Sequence, residues 1–159
     1  MSSAGAAGAG ASDIVLVERF PEVDDYLRMR AVAGMHPKTR EAAERALPNT
    51  LYGVRLERDG EIVGMGRVIG DNGCFFTVVD IAIVPELQGR GLGKRVVAAL
   101  DAWLQRNVPP SAYVTLVADG DAKYLYAQFG FVESAPVAVN MEYVMEAGGV
   151  KSTEHLVPK

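Results

Sequence analysis

The chain has 159 residues, of which 49% are hydrophobic, and its formal net charge is -4; this predicts one domain with a single core, as a monomer or a homodimer. The acidic balance argues against nucleic-acid binding, which needs clustered Lys and Arg. One cysteine and two histidines far apart in sequence exclude a disulfide framework and zinc-ligand spacing, so we expect no metal and a cytoplasmic location. No apolar run approaches the roughly 18 residues that cross a membrane.

The first half of the chain predicts one strand, two helices and a hairpin, and both ends of the chain are expected to be flexible. Residues 1–12 are almost entirely Ala, Gly and Ser, so we expect a flexible leader before a single domain over 13–147 and a flexible tail over 148–159. A β-branched run predicts a strand over 14–17. Helices are expected over 21–35 and 37–47, each with Pro in its first turn. Strands over 51–57 and 61–69 flank an Asp-Gly turn.

The second half predicts a strand, helix, strand crossover. Residues 75–84 are almost continuously apolar, typical of a strand covered on both faces. Leu92, Val96 and Leu100 recur at helical spacing over 91–107, and 113–118 predicts a second buried strand parallel to the first. A short helix over 122–129 and one or two strands over 137–145 complete an α/β (α+β) fold with a mostly antiparallel sheet.

The turn between the central strand and the long helix carries the chemistry. The first N–H groups of a helix are unpaired and lie at the positive end of its dipole, so a pyrophosphate can bind there. A Walker loop needs Ser or Thr after the Lys, where this chain has Arg95, and a dinucleotide fingerprint needs Gly where it has Lys94. The candidate phosphate-binding residues are Gln88, Gly89, Arg90, Gly91, Leu92, Gly93 and Lys94.

This loop resembles the phosphate loop of the GNAT superfamily of acetyl-coenzyme A dependent N-acetyltransferases, through Gln88, Gly91 and Gly93. The resemblance continues upstream over 80–86, which is similar to the family's fourth strand, and downstream over 125–131, which is similar to its Leu-Tyr…Gly-Phe helix. It implies acetyl-coenzyme A as co-substrate and a six- or seven-stranded sheet with about four helices. It also implies a V-shaped opening between strands 4 and 5.

The resemblance also implies roles for particular residues. The pantetheine arm is expected to pair with the backbone of the fourth strand, at Ile81, Ala82 and Ile83, where a bulge would direct an N–H at the thioester carbonyl. Tyr126 occupies the position of the general acid that protonates the departing thiolate, although a packing tyrosine fits the helix pattern too. Asp119 stands where the family often has Asn, so it contacts the cofactor or caps the helix, and Ala122 fits the family pattern.

Asp80 interrupts a buried apolar strand, and a buried carboxylate needs a partner. It either acts as catalytic base or binds the substrate ammonium, or it forms a structural ion pair with Arg67. Further side chains are candidates for the acceptor pocket, although aromatic residues and Met in strands are more often core. These are Tyr52, Arg28, Met65 and Tyr143.

The sequence therefore predicts an N-acetyltransferase that transfers an acetyl group from acetyl-coenzyme A directly to a primary amine of a small molecule. Two alternatives stay open. One is acetylation of a protein lysine or N-terminus, and the other is a non-catalytic acyl-coenzyme A binding module that keeps the loop and has no need of Tyr126.

Overall fold

The computed structural model describes residues 13–158, so the predicted leader over 1–12 lies outside the described residues. The predicted alternation of strands and helices is confirmed, and the structure adds a small hairpin near its end. In chain order the elements are β1 Val15–Val17, α1 Val23–Val32, α2 Arg40–Ala46, β2 Tyr52–Arg58, β3 Glu61–Gly70, β4 Phe75–Ile83, α3 Leu92–Asn107, β5 Tyr113–Thr115, α4 Ala122–Ala127, β6 Val144–Glu146 and β7 Val150–Ser152.

The main sheet has the strand order β1-β2-β3-β4-β5. All neighbours are antiparallel except β4 and β5, which are parallel as the crossover predicts. The β2–β3 turn is formed by Asp59 and Gly60, whose φ angles of 52° and 77° are those of a tight hairpin. The predicted mixed fold is thus confirmed, with five strands in the main sheet and two in a separate antiparallel hairpin rather than six or seven in one sheet.

Both of the first two helices start later than the sequence predicts, and a side-chain cap marks the start of the second. The second helix, expected from residue 37, begins at Arg40, since the side chain of Thr39 accepts a hydrogen bond of 3.1 Å from the Ala42 N–H. The first helix begins at Val23, two residues after Pro21. Both prolines therefore precede their helices instead of lying in the first turn.

The last third of the chain departs most from prediction. The strand expected over 113–118 is limited to β5, and it is not buried: Tyr113 is 68% exposed, because β5 is the edge of the sheet. Residues 137–143 form no regular strand, since a turn in which the Ala138 N–H donates to the Ser134 carbonyl bends the chain. The predicted domain boundary at 147 falls inside the β6–β7 hairpin, so regular structure continues into the expected tail.

The long helix α3 covers one face of the sheet with the apolar stripe that its spacing predicts. Leu92, Val96 and Leu100 on this stripe are almost completely buried. The approach is close because Gly66 on β3 lies beneath the helix: a Cβ at this position would come within 2.5 Å of Val96 Cγ1. None of the helices in the described part of the chain combines the length and the apolar character needed to cross a membrane.

Candidate active site

The central strand β4 carries an irregularity at its carboxyl half. Val79 pairs with Arg67 and Ala82 pairs with Met65, so that two residues of β4, Asp80 and Ile81, lie opposite the single Gly66. Asp80 has a φ of 59°, in the left-handed region. Such a bulge bends the strand and turns a side chain out of the regular alternation. The bulge expected from the family resemblance is therefore present in the backbone.

The strands β4 and β5 separate immediately beyond their amino ends. They pair only at Phe75–Tyr113, Phe76–Val114 and Thr77–Thr115, and β4 continues to Ile83 without a β5 partner. The free backbone edge that results includes Ile81, Ala82 and Ile83, the residues expected to pair with a pantetheine arm. An extended ligand can hydrogen-bond to such an edge as an added strand. This is the V-shaped opening between the fourth and fifth strands.

The turn before α3 exposes a run of main-chain donors. Gly89 and Gly91 each have a φ of 77°, and no heavy atom lies within 4 Å of the place where a Cβ would stand on either. The backbone N–H groups of residues 89–94 donate to no acceptor within residues 13–158, and the first bond of the helix is from Arg95 to the Gly91 carbonyl. Unpaired amides at the start of a 16-residue helix fit a pyrophosphate group.

Side chains of the loop divide into structural and exposed groups. The Gln88 amide donates to the Ile83 carbonyl at 3.0 Å, which ties the loop to the end of β4, and Leu92 is buried in the core. Arg90 and Lys94 are exposed beside the open amides. Arg95, in contrast, donates to the Ile14 carbonyl at 3.1 Å, which ties the start of α3 to the residue before β1.

Helix α4 brings Tyr126 to the same end of the sheet. A Cβ placed on Gly93, in the first turn of α3, would lie 3.6 Å from Leu125 Cδ2, so the two helices meet next to the open amides. Tyr126 is half-buried, with its ring edge-on to Phe131 at a centroid separation of 6.4 Å. Burial, and secondarily the negative charge of Asp119, raise the pKa of the Tyr126 phenol above its usual value. The phenol therefore keeps its proton at neutral and moderately alkaline pH.

The start of α4 does not use Asp119 as a side-chain cap. The helix is preceded by Asp121 as N-cap, without a side-chain capping bond, and it is the Asp119 carbonyl that accepts from the Ala122 N–H at 3.1 Å. The Asp119 side chain is exposed. Its carboxylate is thus free of the capping role that the sequence left open.

Asp80 lies in a buried ion cluster on the face of the sheet that α1 covers. Its two carboxylate oxygens accept from Arg30 at 2.6 Å and from Arg67 Nε at 2.7 Å, and the Tyr26 hydroxyl lies 3.2 Å from both. Arg30, Arg67 and Asp80 are at most 9% exposed. Burial, followed by the charge of Asp80, raises the pKa of Tyr26, which stays a neutral donor. The predicted Arg67–Asp80 pair is present, and this engagement of both oxygens favours the structural role of Asp80.

A family model described as an acetyltransferase (GNAT) domain matches residues 51–133, which span β2 to the end of α4 and include the bulge, the loop and Tyr126. The chain belongs to the GNAT acetyltransferase family. Members of this family are acyltransferases, and the family assignment that the loop motif predicts is confirmed.

Individual relatives of this GNAT chain agree with the family model. A solved structure of a probable acetyltransferase of unknown function from meticillin-resistant Staphylococcus aureus is 40% identical, with a TM-score of 0.77 over 81% of this chain and 97% of that one. The uncharacterized N-acetyltransferase ycf52 of Pyropia yezoensis is 34% identical over 50% of this chain and 44% of its own length. The histone acetyltransferase TAP1 of Glycine max is 34% identical over 52% of this chain and 37% of its own. The chain spans less than half the length of these curated relatives.

The four predicted acceptor residues of this GNAT chain do not come together. Tyr52 stacks on Trp103 of α3 at 5.5 Å and donates to Glu18, on the opposite face from the ion cluster. Met65 is completely buried core. Arg28 donates to the Ile62 carbonyl at 3.0 Å. Tyr143 lies exposed in the last third of the chain, beneath Lys151.

Two residues of the ion cluster were not anticipated from the sequence. Tyr26 and Arg30 occupy positions i and i+4 of α1, and both are buried although one is charged. A helix that places an aromatic hydroxyl and an arginine on the same face signals a buried polar partner, because an unpaired guanidinium is costly to bury. The sequence alone could suggest a partner for Arg30 but could not identify it as Asp80, which is 50 residues away.

Proposed function

We propose that this GNAT chain is an N-acetyltransferase that transfers the acetyl group of acetyl-coenzyme A directly to a primary amine of a small molecule. The observation that carries the proposal is the free edge of β4 beside the bulge, together with the unpaired amides of residues 89–94 and the contact of the Tyr126 helix with the first turn of α3. These groups suit a long ligand with a diphosphate at one end and a reactive carbonyl at the other.

Acetyl-coenzyme A, when bound, supplies the acetyl thioester. The main-chain N–H groups of residues 89–94 then hold the diphosphate, and the edge of β4 orients the arm along the opening. An N–H at the bulge donates to the oxygen that becomes negative when the amine attacks. Tyr126 would donate its phenolic proton to the leaving sulfur as the C–N bond replaces the C–S bond, and the phenolate would regain through solvent the proton that the nitrogen releases.

Replacing the tyrosine tests the proposal, with a neighbouring tyrosine as matched control. We expect Tyr126→Phe to lower kcat for acetyl transfer by about 10²- to 10⁴-fold, the usual contribution of a positioned acid, with coenzyme A affinity unchanged by calorimetry. Tyr124→Phe is the control because Tyr124 lies on the same helix and is 64% exposed. An absence of coenzyme A binding to the unmodified protein contradicts the proposal. Binding without turnover of any acceptor favours the non-catalytic module.

A second candidate acceptor is a protein amine. It is supported by the name of the soybean relative, a histone acetyltransferase that is 34% identical over 89 residues. Assays with free amines and with peptides that carry lysine or a free N-terminus separate the two: higher kcat/KM for the peptides favours the protein acceptor. The cytoplasmic location stays a prediction for cell fractionation, and one curated relative, from Arabidopsis thaliana, is named as chloroplastic.

A further inference from the structure

We propose that the buried Arg30–Arg67 pair selects acceptor amines that carry an anionic oxygen group, a carboxylate or a phosphate. The inference rests on the proposed function and names the acceptor class for the same site. Two guanidinium groups with 7% exposed side chains face a single carboxylate, that of Asp80, with 6% exposure. One positive charge of the cluster is therefore not neutralised by a partner among the described residues.

An excess charge in a nearly dry site is costly, because burial removes the water that solvates it. The cluster is otherwise well bonded. Arg30 donates to the His36 carbonyl as well as to Asp80, and Tyr26 is a neutral donor to the same carboxylate. An anion bound beside the pair would neutralise the excess and gain charge-assisted hydrogen bonds, which are about twice as strong as neutral ones.

Arg67 has a donor available for such an anion. Its Nε donates to Asp80 and its Nη1 to the Thr50 hydroxyl at 3.0 Å, whereas its Nη2 has no hydrogen-bond partner within the described part of the chain. No completely buried side-chain nitrogen or oxygen there lacks a partner, so this Nη2 must reach accessible space. The guanidinium is held by the rings of Phe20 and Tyr26, with its carbon 5.4 Å and 5.8 Å from their centroids. The Arg67 guanidinium is thus a cation with a fixed position and one accessible nitrogen, Nη2.

The cluster lies where an acceptor has to approach. Asp80 belongs to the bulge that borders the free edge of β4, and its side chain points to the α1 face. The other face at this level is closed, because Gly66 opposite the bulge is packed against Val96 and Leu100 of α3. An amine that reaches the thioester must therefore arrive from the side of α1 and pass the two arginines.

Lys38, between α1 and α2, adds to the positive character of this side. Lys38 is exposed as a residue, and partial desolvation of its ammonium, followed by the nearby Arg30 guanidinium, lowers the pKa of that group. The local charge is thus opposite in sign to that of the whole chain, whose formal net charge is -4. A locally positive approach on an acidic protein concentrates anionic ligands at that place.

The test compares acceptors with and without an anionic group. Coenzyme A release is measured with glycine, β-alanine and γ-aminobutyrate against their amides, and with ethanolamine phosphate against ethanolamine, so that the carboxylate and phosphate arms are read separately. We expect kcat/KM for the anionic member of at least one pair to be about 10- to 100-fold higher, the range for a hydrogen bond to a charged group.

Variants test whether the arginine pair causes the preference for anionic acceptors. Arg67→Gln removes a charged donor, so it should reduce the ratio of kcat/KM between anionic and neutral acceptors to less than about threefold. It leaves Arg30 and Asp80 as a balanced pair. Arg67→Lys, which keeps the charge, should retain part of the preference. Lys38→Gln, at an exposed position, should weaken the preference in a protein whose fold is unaffected, and Arg45→Gln, an exposed arginine of α2, is the matched control.

The outcomes separate this inference from the proposed function. Equal kcat/KM for anionic and neutral members overturns the inference and leaves the acetyltransferase standing. So does an anionic preference that persists in both Arg67→Gln and Lys38→Gln. Coenzyme A binding with no acetylation of any anionic acceptor also overturns it, and the cluster is then a structural ion network. If the protein does not bind coenzyme A, both proposals are contradicted.

Discussion

The two halves of the proposed site, one for the cofactor and one for the acceptor, are built from different chemical groups. The cofactor half consists of main-chain groups, namely the open amides of residues 89–94 and the edge of β4. The acceptor half consists of buried side chains contributed by α1, β3 and β4: Tyr26, Arg30, Arg67 and Asp80. Main-chain groups are the same for every sequence that adopts the turn, whereas side chains can change singly. The cofactor half can therefore be shared across a family while the acceptor half can differ from one member to another.

Replacing the carboxylate at the centre of the acceptor half should have the largest effect. Asp80→Asn leaves two buried guanidinium groups without a counter-ion, so we expect the free energy of unfolding to fall by about 3–5 kcal/mol in urea titrations. Asp59→Asn is the matched control, because Asp59 is exposed and occupies a turn conformation that Asn tolerates. Equal midpoints for the two variants would show that the cluster contributes nothing to stability.

Replacing one glycine of the loop should have a smaller effect on stability and should also weaken the binding of coenzyme A. Gly91→Ala places a Cβ at a φ of 77° in front of the open amides. We expect a stability loss of about 1–2 kcal/mol from the left-handed conformation, and coenzyme A affinity lower by about tenfold or more through the displaced donors. Gly60→Ala has the same φ and the same open surroundings, so it should lose stability without losing affinity by calorimetry. Equal affinities in the two variants would contradict the role of the loop.

The smallest expected effect concerns the protonation of Tyr126. Only the protonated phenol can donate to the leaving sulfur, and its pKa is raised by burial and by Asp119, so the alkaline decline of kcat should begin only above the usual pKa of a tyrosine. Asp119→Asn removes the negative charge that disfavours the phenolate, which lowers the pKa. The alkaline limb of the kcat profile should then move to lower pH. Asp121→Asn, at a second exposed carboxylate beside α4, should leave the limb in place.

What the sequence could predict follows the same division. The loop, the strand before it and the helix after it are local patterns, and the positions of Gly89, Gly91 and Tyr126 followed from spacing and resemblance. The Arg67 partner of Asp80 was one of the alternatives that the sequence left open, because β3 and β4 are consecutive strands and Arg67 lies opposite Val79, next to Asp80. Tyr26 and Arg30 did not, since their contact with Asp80 spans 50 or more residues and depends on how α1 lies on the sheet.

The edge of the sheet was harder to predict for another reason. Residues 113–118 and 137–145 have strand-like composition, but a strand also needs a neighbour, and composition does not say whether one is available. In the structure β5 is three residues long and β6 pairs with β7 instead. The predicted acceptor residues Tyr52 and Met65 failed similarly to meet, because alternation along a strand does not reveal which face each side chain joins.

The contact between Gly66 and α3 has a consequence for ligand length. Val96 lies so close to Gly66 that the helix which supplies the open amides and the strand opposite the bulge form one block. The packing of α3 on β3 therefore fixes the distance between the open amides, at the diphosphate end of the site, and the bulge, at the carbonyl end. At the proposed site, a shortened thioester that lacks the diphosphate and the nucleotide would occupy the carbonyl end, whereas the intact cofactor would reach both ends.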